Sequence, residues 1–214
     1  TFAGRASNET ATRAAPAIAI VRAIFHLSYS STILTHCLLD YCAMPTTPDQ
    51  LFVTLDSLGI KHSTVKHPPL FTVEQSQNLR GQIPGGHTKN LFLRDKKYDI
   101  YLVVALENAD IDLKSLHRRL GASGRFSFGS ADLLREVLGV EPGSVTPFGA
   151  INDTEGRVTI VLDIAMMEHE TLNYHPLVNT MTTSIRRDDL VKFLESTGHI
   201  PRMEQVSGRA SNMP

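Results

Sequence analysis

The segment Asn173-Tyr174-His175-Pro176-Leu177-Val178-Asn179-Thr180 places a titratable imidazole directly before a proline, between two β-prone runs. Proline fixes its own φ and biases the residue before it toward an extended backbone. His175 is therefore expected to hold its side chain at a fixed angle at the end of a strand, where it could exchange a proton near neutral pH. The same pattern fits a histidine that only hydrogen-bonds a nearby carbonyl, and both interpretations stand at this point.

Predicted strands and helices alternate on either side of this segment. The spacing of apolar residues, together with capping boxes, glycines and prolines, indicates the elements. Strands are predicted over 60–66, 88–94, 99–106, 158–162, 171–174 and 181–185, and helices over 48–58, 72–79, 112–120, 130–138 and 188–196. The elements do not follow a strict βαβ repeat, so the sequence predicts an α/β fold with a mixed, partly antiparallel sheet surrounded by helices.

Length and composition narrow the class of protein. A chain of 214 residues favours one core, and the formal charge of -1 excludes a broadly basic surface, so any contact with nucleic acid must use a local patch. The only two cysteines, Cys37 and Cys42, precede the main body. A disulfide scaffold or a thiolate nucleophile is therefore not expected there, and the pattern suits a reducing compartment.

The two ends of the chain differ from the part between them. Residues 1–43 are rich in Ala, Ser and Thr and contain arginine but no lysine, which is typical of a transit peptide, a disordered leader or an upstream extension of the reading frame before Met44. We predict one domain over 44–202 and a polar tail over 203–214. A start at Met44 predicts a cytoplasmic protein, and a transit peptide predicts an organellar one. No run is long and apolar enough to span a bilayer.

Two further segments could carry chemistry. Lys89 and Asn90 open an apolar strand and follow a glycine-containing loop, so the ammonium group is a fixed charge suited to a phosphate or carboxylate, although a lysine at a strand end often only reaches into solvent. A second loop runs through Gly143, Ser144, Val145, Thr146 and Pro147. Glycine allows close backbone approach and proline stiffens the chain, so its amides could face a ligand oxygen, or the loop could be an ordinary connection.

Other chemistry has little support. The nine histidines include no HxxxH or HxH pair, so no metal site is predicted. A GxSxG elbow, a phosphate-binding P-loop and a dinucleotide fingerprint are absent from the sequence. Basic residues form one group around the predicted hairpin, made of Arg80, Lys89, Arg94, Lys96 and Lys97, and a second group of Arg118, Arg119 and Arg125. Both groups could guide an RNA end or could be solvated faces.

Taken together, 89–93, 143–147 and 173–180 resemble the YbaK/ProX family of aminoacyl-tRNA editing domains, and most closely its ProX branch of free-standing prolyl-tRNA editing proteins. The resemblance covers about 45–201. It implies a single compact α/β domain with a mixed, barrel-like sheet, and an enzyme that hydrolyses the ester between a wrong amino acid and tRNA for proline. It implies no metal or cofactor.

The resemblance also implies roles for residues. By position, Lys89 and His175 correspond to the family's catalytic lysine and histidine. The substrate-binding positions fall on Asn90, Gly143, Ser144, Val145, Thr146 and Pro147. The implied substrate is alanine on tRNA for proline, with cysteine as the alternative. The implied partner is the acceptor end of that tRNA, delivered by prolyl-tRNA synthetase or an elongation factor. A module that binds the tRNA end or a partner without turnover is the alternative from another class, and a small-molecule hydrolase is a third.

Overall fold

The strand β3 (Ile100–Leu106) is buried on both faces, which explains its continuous apolar sequence. The structure is a computed structural model that describes residues 44–69 and 83–208. The predicted leader, the predicted helix over 72–79 and the last six residues lie outside these ranges. Ile100, Leu102 and Val104 enter one apolar cluster, whereas Tyr101, Val103 and Ala105 enter a second cluster on the opposite face. The sheet therefore has a core on each side.

Eight strands form one mixed sheet in the described residues. They are β1 (His62–Lys66), β2 (Gly86–Arg94), β3, β4 (Ser127–Phe128), β5 (Val158–Asp163), β6 (Thr171–Tyr174), β7 (Met181–Arg186) and β8 (Arg202–Glu204). The strand order is β1-β7-β6-β2-β3-β5-β8, and β4 pairs with β2. The pairs β6–β2, β3–β5 and β5–β8 are parallel and the others are antiparallel. The predicted mixed α/β fold is confirmed.

Within 44–69 and 83–208, four α-helices cover the two faces unequally. They are α1 (Pro48–Ser57), α2 (Leu113–Arg119), α3 (Ala131–Leu138) and α4 (Arg187–Ser196). Apolar residues of α1, α3 and α4 enter the larger cluster, whereas α2 contributes Leu116 to the smaller one. The predicted capping box begins α1, because Thr47 and Gln50 bond each other's backbone amides. Ser130 caps α3, which ends at Gly139 with φ +64°.

The described structure continues past residue 202, the predicted end of the domain, as the strand β8. This strand pairs Arg202 with Val161 and Glu204 with Asp163, and Val206 is buried beyond it. The Oδ1 atom of the fully buried Asp163 accepts hydrogen bonds from the amide of Val206 at 3.0 Å and of Ser207 at 3.3 Å. The sequence looks polar here because alternate residues of an edge strand face solvent, and one buried valine is too short a signal to predict a strand.

Candidate functional site

The strand β2 changes partners along one edge, and the candidate site lies where it does so. Gly86 and His87 pair with β6, whereas Leu93 and Arg94 pair with β4. Between these two pairings, the hydroxyl of Thr88 still donates to the carbonyl of Asn173 and the amide of Gly129 donates to the carbonyl of Phe92. The described strands therefore leave that edge of β2 open only over residues 89–91. Lys89 and Asn90 lie in this opening, which we call the β2 gap.

Asn90 connects the β2 gap to the predicted substrate loop. Its Nδ2 donates to the carbonyl oxygen of Val145 at 2.9 Å. Its Oδ1 is buried and receives no hydrogen bond from any described residue. One half of the amide therefore holds the loop in place, and the other half is an acceptor without a protein donor.

The predicted substrate loop is mostly buried, and only part of it is available to a ligand. Thr146 and Pro147 begin a 3-10 helix over Pro147–Ile151, where the hydroxyl of Thr146 accepts from the amide of Phe148 at 3.3 Å. The amide of Ser144 already donates to the carbonyl of Glu141 at 2.9 Å. The amides of Gly143, Val145 and Thr146 donate no hydrogen bond within the described residues.

Gly143 connects this loop to the histidine segment. Its φ is +90°, a backbone conformation that disfavours other residues. A Cβ atom placed there would meet only Nδ2 of Asn179, at 3.8 Å, so the backbone angle and not crowding requires the glycine. The structure thus brings 143–147 together with both Asn90 and the end of 173–180.

Lys89 lies on the opposite face of β2 from Asn90. Neighbouring residues of a strand alternate between faces, and Lys89 pairs with Ala105 of the smaller apolar cluster, whereas Asn90 pairs with Val104 of the larger one. The Nζ atom of Lys89 donates to the carbonyl oxygen of Ala109. This ammonium group is half-buried and is held by a neutral acceptor.

His175 follows directly after β6. The parallel pairing of His87 with Asn173 places Lys89 and His175 each two residues beyond the same pair. Lys89 and His175 form no hydrogen bond with each other among the described residues. Both predicted catalytic side chains therefore lie at one end of the β2–β6 junction, while Asn90 faces the loop.

A tight turn fixes the direction of the His175 side chain. The amide of Leu177 donates to the carbonyl of His175 at 2.9 Å across Pro176, and Leu177 has φ +67° although it is not glycine. Its side chain is buried in the larger cluster, which stabilises this unusual conformation. A left-handed backbone costs a residue with a Cβ about 1–2 kcal/mol, so packing holds the turn in this shape.

The hydrogen bonds of His175 define its tautomer. Its Nδ1 lies 3.1 Å from the carbonyl oxygen of Met181, which can only accept, so Nδ1 carries a proton. Burial lowers the pKa of His175 from its ordinary value, and the nearby His67 lowers it further, against the raising effect of the Met181 bond. At neutral pH the ring is therefore uncharged and its Nε2 is an acceptor.

The sequence analysis missed a second histidine at this place. The ring of His67 lies 6.5 Å from that of His175, centroid to centroid, and its Nε2 lies 2.9 Å from Oγ1 of Thr182. The amide of His67 also donates to the carbonyl of Thr180 at 2.9 Å. The missed signal was its own proline: His67-Pro68 repeats the His-Pro arrangement of His175, but we interpreted it only as the end of a strand.

The described residues contain neither a metal-binding cluster nor a membrane-spanning helix. No group of three or more His, Cys, Asp or Glu side chains is arranged to hold a metal ion within 44–69 and 83–208. Over the same ranges, no helix is long and apolar enough to cross a membrane.

Comparison with known proteins identifies the family. The profile described as the aminoacyl-tRNA editing domain matches residues 67–193. The chain is 35% identical over 146 residues to the prolyl-tRNA editing protein ProX of Acetoanaerobium sticklandii, covering 68% of this chain and 88% of that protein. It is 38% identical over 151 residues to prolyl-tRNA synthetase associated domain-containing protein 1 of Mus musculus, covering 69% of this chain and 89% of that protein.

A solved structure shares the fold. A crystal structure of a candidate trans-editing enzyme for prolyl tRNA synthetase aligns with a TM-score of 0.59 at 17% identity, covering 77% of this chain and 99% of that one. The protein thus has the α/β fold of the editing domains, with an open edge at β2. The chain belongs to the aminoacyl-tRNA editing domain family, and the resemblance to the YbaK/ProX family is confirmed.

Proposed function

We propose that this protein is a trans-editing deacylase that hydrolyses the ester of mischarged tRNA for proline, with alanine as the amino acid removed. The observation that carries the proposal is the hydrogen bond from Asn90 to the carbonyl of Val145, which joins the β2 gap to the 143–147 loop. Among the described residues, the amides of Gly143, Val145 and Thr146 have no acceptor. The names of the relatives support it, since they are called prolyl-tRNA editing and prolyl-tRNA synthetase associated proteins.

Such an enzyme is needed because a synthetase pocket discriminates poorly against an amino acid smaller than its own. A synthetase pocket that accepts proline rejects a smaller side chain by only about 1–3 kcal/mol, so some alanine is attached in error. A second pocket that is too small for proline can then remove the alanine and spare the correct product. We propose the β2 gap, bordered by the 143–147 loop, as that second pocket.

We assign the binding roles from the geometry of the described residues. The amides of Gly143, Val145 and Thr146 bind the aminoacyl group, because Ser144 has already committed its amide to the carbonyl of Glu141. The side chains of Thr146 and Pro147 are buried and support the loop from behind. The free Oδ1 of Asn90 accepts a hydrogen bond from the amino group or a ribose hydroxyl of the substrate.

Lys89 and His175 act at the end of the β2–β6 junction. The Lys89 ammonium leaves the carbonyl of Ala109 for a terminal phosphate of the tRNA, which is the stronger, charged acceptor. The Nε2 of His175 accepts a hydrogen bond from the terminal ribose. The ester is already activated, so positioning and electrostatics suffice for attack by water, with the substrate's own 2′-hydroxyl assisting. His67 keeps the His175 ring in place from the side.

The proposed partner is the acceptor end of tRNA for proline, and prolyl-tRNA synthetase or an elongation factor delivers it. Cysteine is the alternative amino acid, because its side chain is also smaller than proline's ring. A module that binds the tRNA end without turnover is the alternative from another class.

Hydrolysis of alanyl-, cysteinyl- and prolyl-tRNA for proline by the full chain, with chelator present, tests the proposal. We expect rapid loss of alanine with proline spared. Lys89→Met should slow the reaction on the order of 100-fold, because a positioned charge is lost. Lys61→Met, at an exposed lysine outside the site, is the matched control and should retain full activity. Loss of no amino acid from any substrate would refute the deacylase and leave the binding module.

A further inference from the structure

The hairpin between β2 and β3 joins the two basic groups of the sequence into one surface. The carboxylate of Asp95 accepts from the amide of Ser123 at 2.9 Å, and the Lys96 side chain lies against Gly124, where an added Cβ would be 2.6 Å from Cδ of the lysine. We call the result the hairpin surface. It consists of Arg94, Lys96, Lys97, Tyr98 and Arg125.

Positive charge is concentrated around this surface. Segments 94–99 and 117–128 together contain six Lys or Arg residues and two acidic residues, Asp95 and Asp99, in a chain whose formal net charge is -1. Asp95 is only 5% exposed, and backbone amides of Lys97 and Asp99 also donate to it. Its carboxylate is therefore hydrogen-bonded inside the turn and does not face solvent. The exposed charge is therefore mainly positive, which complements a polyanion.

An exposed aromatic ring stands on this surface. Tyr98 is 69% exposed, and Phe128, which pairs with Leu93 and so lies on the other face of β2 from Arg94, is 62% exposed. Tyr98 has φ +68° although it is not glycine, and the guanidinium carbon of Arg94 lies 4.9 Å from the centre of its ring. The Asp95 bonds hold this turn rigidly, so the chain presents an aromatic ring and a guanidinium group together to solvent. Bases stack on such rings, and an acidic protein segment has no comparable use for them.

We propose that the hairpin surface binds the sugar-phosphate backbone and one exposed base of the tRNA, away from the aminoacylated end. Arg94 is five residues from Lys89 along β2, a distance of about 17 Å, which is too far for the terminal nucleotide bound at the β2 gap to reach. The hairpin surface is therefore a second binding site for the same substrate, separate from the β2 gap. This inference rests on the proposed function for the identity of the RNA.

Two single variants and one control test the surface in the full chain. Lys97→Gln removes an exposed charge, and Tyr98→Asn removes the ring while retaining a residue that tolerates positive φ. Lys61→Gln removes one exposed charge elsewhere. We measure binding of unacylated tRNA for proline over a series of salt concentrations. We also measure hydrolysis of full-length alanyl-tRNA and of the alanylated terminal trinucleotide.

We expect Lys97→Gln to reduce the slope of log affinity against log salt by about 0.7–0.9. Tyr98→Asn should weaken tRNA binding about tenfold. Both should slow hydrolysis of full-length substrate at low concentration without changing hydrolysis of the trinucleotide, and the control should change neither.

Unchanged tRNA affinity and salt slope in both variants would overturn the proposal. If the variants instead lost binding to polyglutamate with tRNA binding intact, the surface would dock an acidic protein segment and the RNA assignment would be wrong. If the unsubstituted chain hydrolysed neither substrate, the deacylase would fail, but the salt-dependent binding comparison would still decide the role of the surface.

Discussion

Replacing Asn90 by alanine is expected to lower activity while leaving stability nearly unchanged. The substitution deprives the carbonyl of Val145 of its donor, which costs about 1–3 kcal/mol if that oxygen remains buried. It also removes Oδ1, a buried acceptor that no described residue satisfies, and the loss of this unsatisfied atom stabilises the folded state by a similar free energy. The two effects oppose each other, so the free energy of unfolding should change by less than about 1 kcal/mol.

Asn152 is the matched control, because both ends of its amide are used. Its Nδ2 donates to the carbonyl of Leu138 at 2.9 Å, and its Oδ1 accepts from the amide of Thr46 at 2.9 Å. Asn152→Ala therefore leaves two backbone groups without partners and removes no unsatisfied atom. We expect a loss of about 2 kcal/mol in the free energy of unfolding, with deacylation retained.

Asn90→Asp supplies the third comparison. It has the shape of asparagine but places a carboxylate oxygen against the carbonyl of Val145, with no cation to compensate. An uncompensated buried charge costs on the order of 3–5 kcal/mol. Burial raises the pKa of the new carboxyl, so the lost stability should return progressively as pH falls toward about 4, the pKa of an aspartate in the unfolded chain.

The assays are urea unfolding followed by circular dichroism, and single-turnover hydrolysis of alanyl-tRNA for proline. Both Asn90 variants should be at least tenfold slower than the parent, because the 143–147 loop loses its anchor. Full activity in Asn90→Ala, combined with a stability loss as large as that of Asn152→Ala, would refute the reasoning.

Three further predictions concern pH, the core and the end of the chain. The rate of deacylation should fall as pH drops below 6.5, because the pKa of His175 is lowered and protonation removes its Nε2 acceptor; His175→Gln should abolish this acid limb in a pH–rate profile. Asp153→Asn should cost about 3–5 kcal/mol in urea unfolding, because it breaks a 3.0 Å buried contact with His199. Burial raises the pKa of Asp153, but hydrogen bonds from His199 and two backbone amides outweigh this and lower it, so the parent's advantage should be present above pH 4 and vanish as pH falls through that lowered value. Val206→Ala should lower the melting temperature by several degrees, because this side chain is buried beyond β8.

Much of the fold could be predicted from local signals. The capping box before α1, the charged turn between β2 and β3, and the glycine after α3 each determine an element by short-range chemistry, and each was predicted and confirmed. The two-residue β4 was missed, because its pairing with Leu93 and Arg94 depends on a partner more than 30 residues away.

The candidate site was also predicted only in part, because its geometry depends on residues that are distant in the sequence. Lys89 and Asn90 are adjacent in the sequence, yet strand alternation sends them to opposite faces of β2. The closeness of His67 and His175 is invisible in the sequence, because β7 brings them together across more than 100 residues. Their assigned roles, and the leader over 1–43, stay predictions.

Because β2 changes partners along one edge, the width of the β2 gap is fixed while its polarity can vary. Backbone hydrogen bonds to β6 at Gly86–His87 and to β4 at Leu93–Arg94 fix how far apart the two borders stand. Exchanges of the side chains that line the opening alter its polarity without moving those borders. In the proposed deacylase, an engineered variant could therefore be given a new preference among amino acids of similar size, whereas admitting a much larger one would require a shift in strand register. On that proposal the main chain sets the size limit, and the side chains set the chemistry within it.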